Sequence, residues 1–75
     1  MTGHRYLVEI RYVPAGGGDR SWLVPTDDEP WVAELRAAAH DPAERHGTGI
    51  RWLNCDNEFR YVAWEDVLAI KVNES

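Results

Sequence analysis

The chain has a single cysteine and no long apolar run, and each of these absences excludes a class of protein. Cys55 stands alone in 75 residues, so neither a disulfide framework nor a zinc finger built on Cys-x-x-Cys pairs is expected. No apolar stretch approaches the roughly 20 residues needed to span a bilayer. Arg5, Glu9 and Arg11 interrupt the first apolar stretch, which argues against a signal peptide. We therefore expect no membrane association and a cytoplasmic location.

Positive charge is also scarce. Thirteen acidic residues against eight basic ones give a formal net charge of −5. An acidic chain repels the phosphate backbone at long range, so generic nucleic-acid binding is not expected.

Tryptophan, in contrast, is abundant: Trp22, Trp31, Trp52 and Trp64. A domain of this size buries only about 60% of the surface that its unfolded chain exposes, and each indole N–H requires a partner. Strand parity predicts Trp22 and Trp52 in the core, and Trp31 is expected at the core's rim. Trp64 is expected to border the functional surface.

The first half of the chain predicts a hairpin followed by a helix. Alternation over 4–13 predicts a strand, the glycine-rich run 16–19 a loop, and 21–24 a return strand. Asp27 or Asp28 is expected to cap a helix that contains Pro30 in its first turn and ends near His40. One extra helical turn or a tight loop is expected at Asp41-Pro42-Ala43-Glu44, closed by Gly47. The core face of the first strand is predicted to carry Tyr6, Val8, Ile10 and Tyr12.

The second half predicts strands at 50–53, 59–62 and 68–72, with a polar turn over 54–57. The last strand is predicted to face the core through Leu68, Ile70 and Val72. The spacing of Trp64, Val67 and Leu68 favours a helical turn at Glu65-Asp66, and one long strand with a bulge there is the alternative.

These elements predict a single α+β domain over residues 1–75, with the order ββαβββ and one helix packed on one face of a mixed sheet. This order and the loop placement resemble the β-grasp, or ubiquitin-like, arrangement, which implies that the first and last strands lie side by side at the centre. The alternative is a small bent-strand barrel of the Sm or SH3 kind with an inserted helix.

No pattern of residues predicts catalysis or metal binding. His4, His40, His46 and Cys55 do not have the spacing of known metal ligands. Asp56 beside Cys55 disfavours a reactive thiolate. We therefore expect no catalytic residues, no metal and no cofactor, and a protein that is not an enzyme.

The sheet face turned away from the helix is the candidate functional surface. Aliphatic side chains bordered by arginine are typical of protein-binding surfaces, and a solvated face with cross-strand ion pairs is the alternative. The expected function is a small acidic protein-interaction module, of the accessory-subunit or inhibitor kind, with a homodimer as one form of that pairing. The alternative function is nucleic-acid or small-ligand binding through local arginine and aromatic side chains. The predicted interface residues are Leu7, Arg11, Leu23, Arg51, Leu53, Arg60 and Trp64.

Overall fold

The computed structural model describes residues 3–74 and contains five strands, one α-helix and two 3-10 turns in this range. The prediction of an α+β chain is confirmed. In chain order the elements are β1 (Tyr6–Tyr12), β2 (Arg20–Thr26), α1 (Glu29–His40), the 3-10 turn η1 (Pro42–Glu44), β3 (Gly49–Leu53), β4 (Phe59–Ala63), the 3-10 turn η2 (Trp64–Asp66) and β5 (Val67–Glu74).

The strands form two antiparallel sheets, and the prediction of one mixed sheet is wrong for the described residues. One sheet has the order β2-β1-β5, and the other pairs β3 with β4. The turn η2 leads into β5 and is bonded to the residue after β1. The Val13 N–H donates to the carbonyl of Asp66, the last residue of η2, at 3.0 Å. This bond places the start of β5 beside the end of β1, so β5 runs back along β1 in the opposite direction.

The core lies between the two sheets and the helix. β1 is the central strand of its sheet, and its alternation turns Tyr6, Val8 and Ile10 inward, as predicted. Tyr12 is half-buried and packs against the same core. The buried apolar residues are Tyr6, Val8, Ile10, Val24, Val32, Leu35, Ala38, Ile50, Trp52 and Val62.

The ends of the helix agree with the predicted signals. Asp28 is the N-cap, and its Oδ1 accepts a hydrogen bond from the Trp31 N–H at 3.1 Å. The helix ends at His40, and Asp41 then caps η1 by accepting from the Ala43 N–H at 3.0 Å. Helix and turn therefore form because a short polar side chain satisfies the free backbone N–H groups at each start.

Asp27, the other candidate cap, has a different role. Its Oδ1 accepts the Arg5 backbone N–H at 2.7 Å, and its Oδ2 lies 3.0 Å from His4 Nδ1. The hydrogen bond from Arg5 holds the pKa of the Asp27 carboxyl below its ordinary value, and His4 adds to the effect. Asp27 therefore ties the segment before β1 to the loop between β2 and α1.

Leu68 departs from its predicted core position. Arg11 pairs with Ala69 but Tyr12 pairs with Val67, so Leu68 is the extra residue of a bulge and remains 53% exposed. Ile70 and Val72 do pack against the core. The helical turn predicted before β5 is confirmed as η2.

Candidate functional site

The outer side of the β3–β4 hairpin carries the candidate site. Ile50 on β3 and Val62 on β4 are directly opposite each other and buried. Because side chains alternate along a strand, the neighbouring residues must point to the other side. The outward set is Arg51, Leu53, Phe59 and Tyr61, hereafter called the hairpin face.

The hairpin face exposes an unusual amount of apolar surface. Leu53 is 54% exposed, Phe59 80% and Tyr61 50%. Leu53 lies directly opposite Phe59 across the two strands, and Arg51 lies directly opposite Tyr61. Single exposed apolar residues are common, whereas a contiguous group marks a contact surface in many proteins.

The turn at the tip fixes the register of this face. The Asn54 N–H donates to the Glu58 carbonyl at 2.8 Å, and the Asn57 N–H donates to the Asn54 carbonyl at 2.9 Å. Asn57 has a φ of 67°, a left-handed conformation that asparagine tolerates better than most residues. Asp56 Oδ1 accepts from the Glu58 N–H at 3.1 Å. These hydrogen bonds define the turn that sets the pairing of β3 with β4, and with it the positions of the apolar side chains.

Tyr61 contacts Thr48, the residue before β3, and Gly49, the first residue of β3. Its hydroxyl donates to Thr48 Oγ1 at 2.9 Å. A Cβ on Gly49 would lie 2.8 Å from Cζ of the Tyr61 ring, which is closer than such contacts allow. The ring therefore occupies space that only glycine leaves free at this position.

Arg51 adds a positive charge to the hairpin face and has no acidic partner within ion-pair distance among residues 3–74. Within residues 3–74 its side chain makes no ion pair and no hydrogen bond. Four other arginines do have acidic partners; these pairs are Arg5–Glu29, Arg11–Asp19, Arg36–Glu74 and Arg60–Asp56.

A cluster of indoles supports the hairpin from inside. Trp52 is 7% exposed, and its ring centroid lies 5.8 Å from that of Trp22 and 6.1 Å from that of Trp31. The Trp52 indole N–H donates to Asn54 Oδ1 at 3.4 Å. The core position predicted for Trp52 is confirmed, and Trp22 and Trp31 are half-buried against the core. Through these ring contacts β3 packs against β2 and α1.

Arg60 does not lie on the predicted outer face. It pairs with Trp52 across the strands and therefore shares the inward side of the hairpin. Its guanidinium lies 5.2 Å from the centroid of the Trp22 ring and 2.6 Å from Asp56. Arg60 thus closes the edge of the indole cluster, where cation–π attraction and the ion pair both hold it.

The other predicted interface residues do not form one surface. Leu7, Arg11 and Leu23 lie on the outer face of the β2-β1-β5 sheet, whereas Arg51 and Leu53 belong to the hairpin face.

Trp64 lies in η2, outside the hairpin face. Its indole N–H donates to the His46 carbonyl at 2.9 Å, and its ring packs against the core. The sheet face predicted as one surface is therefore divided between two sheets and a turn.

Phe59 and Tyr61 are the members of the site that sequence reasoning missed. From Phe59 to Trp64 the apolar residues occupy both parities, with Phe59 and Tyr61 on one and Val62 and Trp64 on the other. The information that decides between the two parities comes from β3. Because Ile50 pairs with Val62, Phe59 and Tyr61 lie on the outer side of the hairpin.

Two further features were sought among the described residues, a cluster of metal-ligating side chains and a membrane-spanning helix. Residues 3–74 hold no group of three or more His, Cys, Asp or Glu side chains arranged to bind a metal ion. Over the same residues, no helix has the length and apolarity to cross a membrane. Cys55 is exposed in the hairpin turn.

Comparison with protein-family models, with curated proteins and with solved structures finds no match to this chain. Inference about function therefore depends on the geometry of the chain itself.

Proposed function

We propose that this protein is a small cytoplasmic protein-binding module, without enzymatic activity, that contacts its partner through the hairpin face. The observation that supports this proposal is the exposure of Leu53, Phe59 and Tyr61 on one side of the β3–β4 hairpin. Aromatic residues and arginine concentrate binding energy at protein interfaces. An apolar centre with one unpaired arginine has this composition.

The partner is a different protein that offers an apolar surface and an acidic side chain for Arg51. A stable interface buries about 800 Å² on each partner, which is more than the exposed area of a few side chains, so the contact extends beyond the hairpin face. A second copy would bring another net charge of −5 and another Arg51 to the same place. Like charges facing each other disfavour that pairing. The role is then that of an accessory subunit or an inhibitor-type binder.

We also propose how the two sheets are arranged. The β1–β5 pairing is antiparallel and η2 joins the two sheets, since the Trp64 N–H donates to the Thr48 carbonyl at 3.1 Å. These features favour the bent-strand barrel of the Sm or SH3 kind, with α1 inserted between β2 and β3, over a β-grasp.

Site-specific photo-crosslinking in the native host tests the proposal. A photoreactive phenylalanine analogue replaces Phe59 in one variant and Leu23, which is 58% exposed on the other sheet, in the control. We expect a defined adduct with one partner protein from position 59 and none from position 23. Equal adducts from both positions, or adducts from position 23 alone, would contradict the proposal.

The same experiment distinguishes the other occupants. An adduct between two copies of this chain would replace the partner protein by a homodimer. A nuclease-sensitive adduct at position 59 would favour the nucleic-acid alternative, for which Phe59 and Tyr61 provide stacking surfaces and Arg51 a phosphate contact. Either outcome overturns the proposal of a different protein as partner.

A further inference from the structure

A second surface adjoins the hairpin face and shares Arg51 with it. It is a cleft of about 180 Å³ between α1, η1, β3 and η2. Trp31 and Trp64 line it from two different elements, and Leu35 and Ile50 contribute buried apolar surface. The remaining lining residues are Glu34, Glu44, His46, Gly49 and Arg51.

Both indoles are held by contacts other than with each other. The hydrogen bond from the Trp64 N–H to the His46 carbonyl at 2.9 Å fixes one ring. The Trp31 ring is packed against Trp52, with 6.1 Å between the ring centroids. A ligand that entered the cleft would therefore meet rings already in place, which lowers the entropic cost of binding.

The charge of the cleft favours a cation. Glu34 and Glu44 are both exposed, and neither forms an ion pair with another residue in the range 3–74. Among residues 3–74, the lining of the cleft has two carboxylates, Glu34 and Glu44, against one guanidinium, Arg51. Arg45, which is not part of the lining, lies 5.2 Å from the centroid of the Trp64 ring and makes a cation–π contact with it outside the cleft.

We propose that this cleft binds an alkylated ammonium group. The electron-rich faces of indole rings attract cations, and quaternary ammonium groups bind in this way in many proteins. A bare ammonium is compact and strongly hydrated, so it loses more on entering a lining that contains Leu35 and Ile50. Methyl groups on the nitrogen remove that cost and fill apolar space, while Glu34 and Glu44 supply the opposite charge.

The size of the cleft agrees with this class of ligand. Clefts that hold drug-sized molecules measure roughly 300–1,000 Å³, whereas this one is about 180 Å³. It accommodates a group of side-chain size, such as the head of choline or the end of a trimethylated lysine. The cleft and the hairpin face share Arg51, but the indoles and carboxylates of the cleft lie outside the hairpin face, so this inference does not rest on the proposed function.

Titration of the full chain with choline, followed by NMR of the tryptophan indole N–H signals, tests the proposal. The control ligand is 3,3-dimethyl-1-butanol, which has the same shape without the charge. We expect saturable shifts of the Trp31 and Trp64 signals with choline, and at least about fivefold weaker binding of the neutral alcohol. Nα-acetyl-trimethyllysine amide forms a second arm, and tighter binding of it than of choline identifies a peptide side chain as the source.

Exposed glutamates provide variants that leave the core intact. The double variant Glu34→Gln/Glu44→Gln is expected to weaken choline binding about fivefold, because it removes the charges that line the cleft. Glu65→Gln, which removes an exposed charge in η2 outside the lining, should leave the affinity unchanged. Absence of saturable shifts with both cations, or equal binding of the neutral alcohol, would overturn the proposal.

Discussion

Replacement of Ile10 with alanine is expected to remove about half of the stability of this domain. Ile10 is 0% exposed and lies in the central strand, between Trp22 on β2 and Ile70 on β5. Truncation of a buried isoleucine to alanine typically costs about 2–5 kcal/mol, because the lost transfer energy is joined by the cost of a cavity.

That loss is large relative to what a chain of this size has available. For 75 residues, a typical stability of roughly 0.05–0.15 kcal/mol per residue amounts to about 4–11 kcal/mol. Urea unfolding followed by tryptophan fluorescence measures the difference. We expect a large fall of the unfolding midpoint in Ile10→Ala, with an unfolded fraction already in buffer if the wild type lies at the low end of that range.

The matched control for this prediction is Leu23→Ala. Leu23 lies on the neighbouring strand, opposite Glu9, but is 58% exposed. Its truncation should change the free energy of unfolding by no more than about 0.5 kcal/mol. If Leu23→Ala costs as much as Ile10→Ala, the division of this sheet into a core face and a solvent face is wrong.

Gly49→Ala is expected to destabilise the hairpin and to move Tyr61. A Cβ at this position would lie 2.3 Å from the Val62 carbonyl oxygen and 2.9 Å from the Ala63 Cα. Both of these are backbone atoms of the paired strand, so they cannot rotate away. Overpacking of this kind costs about 1–3 kcal/mol, and the strands must separate to relieve it.

Gly16→Ala is the control for that substitution. A Cβ on Gly16 meets nothing within 4 Å, and Gly16 has no positive φ. Its replacement should leave the domain as stable as the wild type, or raise the stability by up to about 1 kcal/mol through the unfolded state. Chemical denaturation of both variants, with the Tyr61 ring signals followed by NMR, measures the two effects. Unchanged stability and unchanged Tyr61 signals in Gly49→Ala would contradict the described packing of β3 on β4.

Local patterns predicted the elements whose causes are local. The alternation of Tyr6, Val8 and Ile10 identified the core face of β1, because one face of that strand is apolar throughout. Asp28 and Pro30 indicated the start of the helix. The Asp28 side chain accepts a hydrogen bond from a free N–H group, and Pro30 has no N–H group that requires a partner. The core position predicted for Leu68 was wrong, because a bulge depends on the partner strand. The sequence around Leu68 does not show where Arg11 and Tyr12 lie.

The arrangement of sheets and the hairpin face depend on contacts between distant residues. No local pattern predicts that Val13 bonds to Asp66, yet this bond makes β5 antiparallel to β1. On β4, apolar side chains at both parities leave the inward face undecided until β3 pairs with it. The sequence prediction included Arg51 and Leu53, which lie on the hairpin face, and did not include Phe59 and Tyr61; the interface itself stays a prediction.

Titration calorimetry with the crosslinked partner, once purified, tests the role of the hairpin face most directly. Leu53→Ser/Phe59→Ser changes two exposed residues of the hairpin face, and Leu7→Ser/Leu23→Ser changes two on the other sheet. Loss of a central apolar anchor typically costs 2 kcal/mol or more, so we predict affinity weakened by at least about 30-fold in the first variant. The second variant should bind like the wild type. The reverse pattern, with full affinity in Leu53→Ser/Phe59→Ser and loss in Leu7→Ser/Leu23→Ser, would contradict the hairpin face as the binding surface.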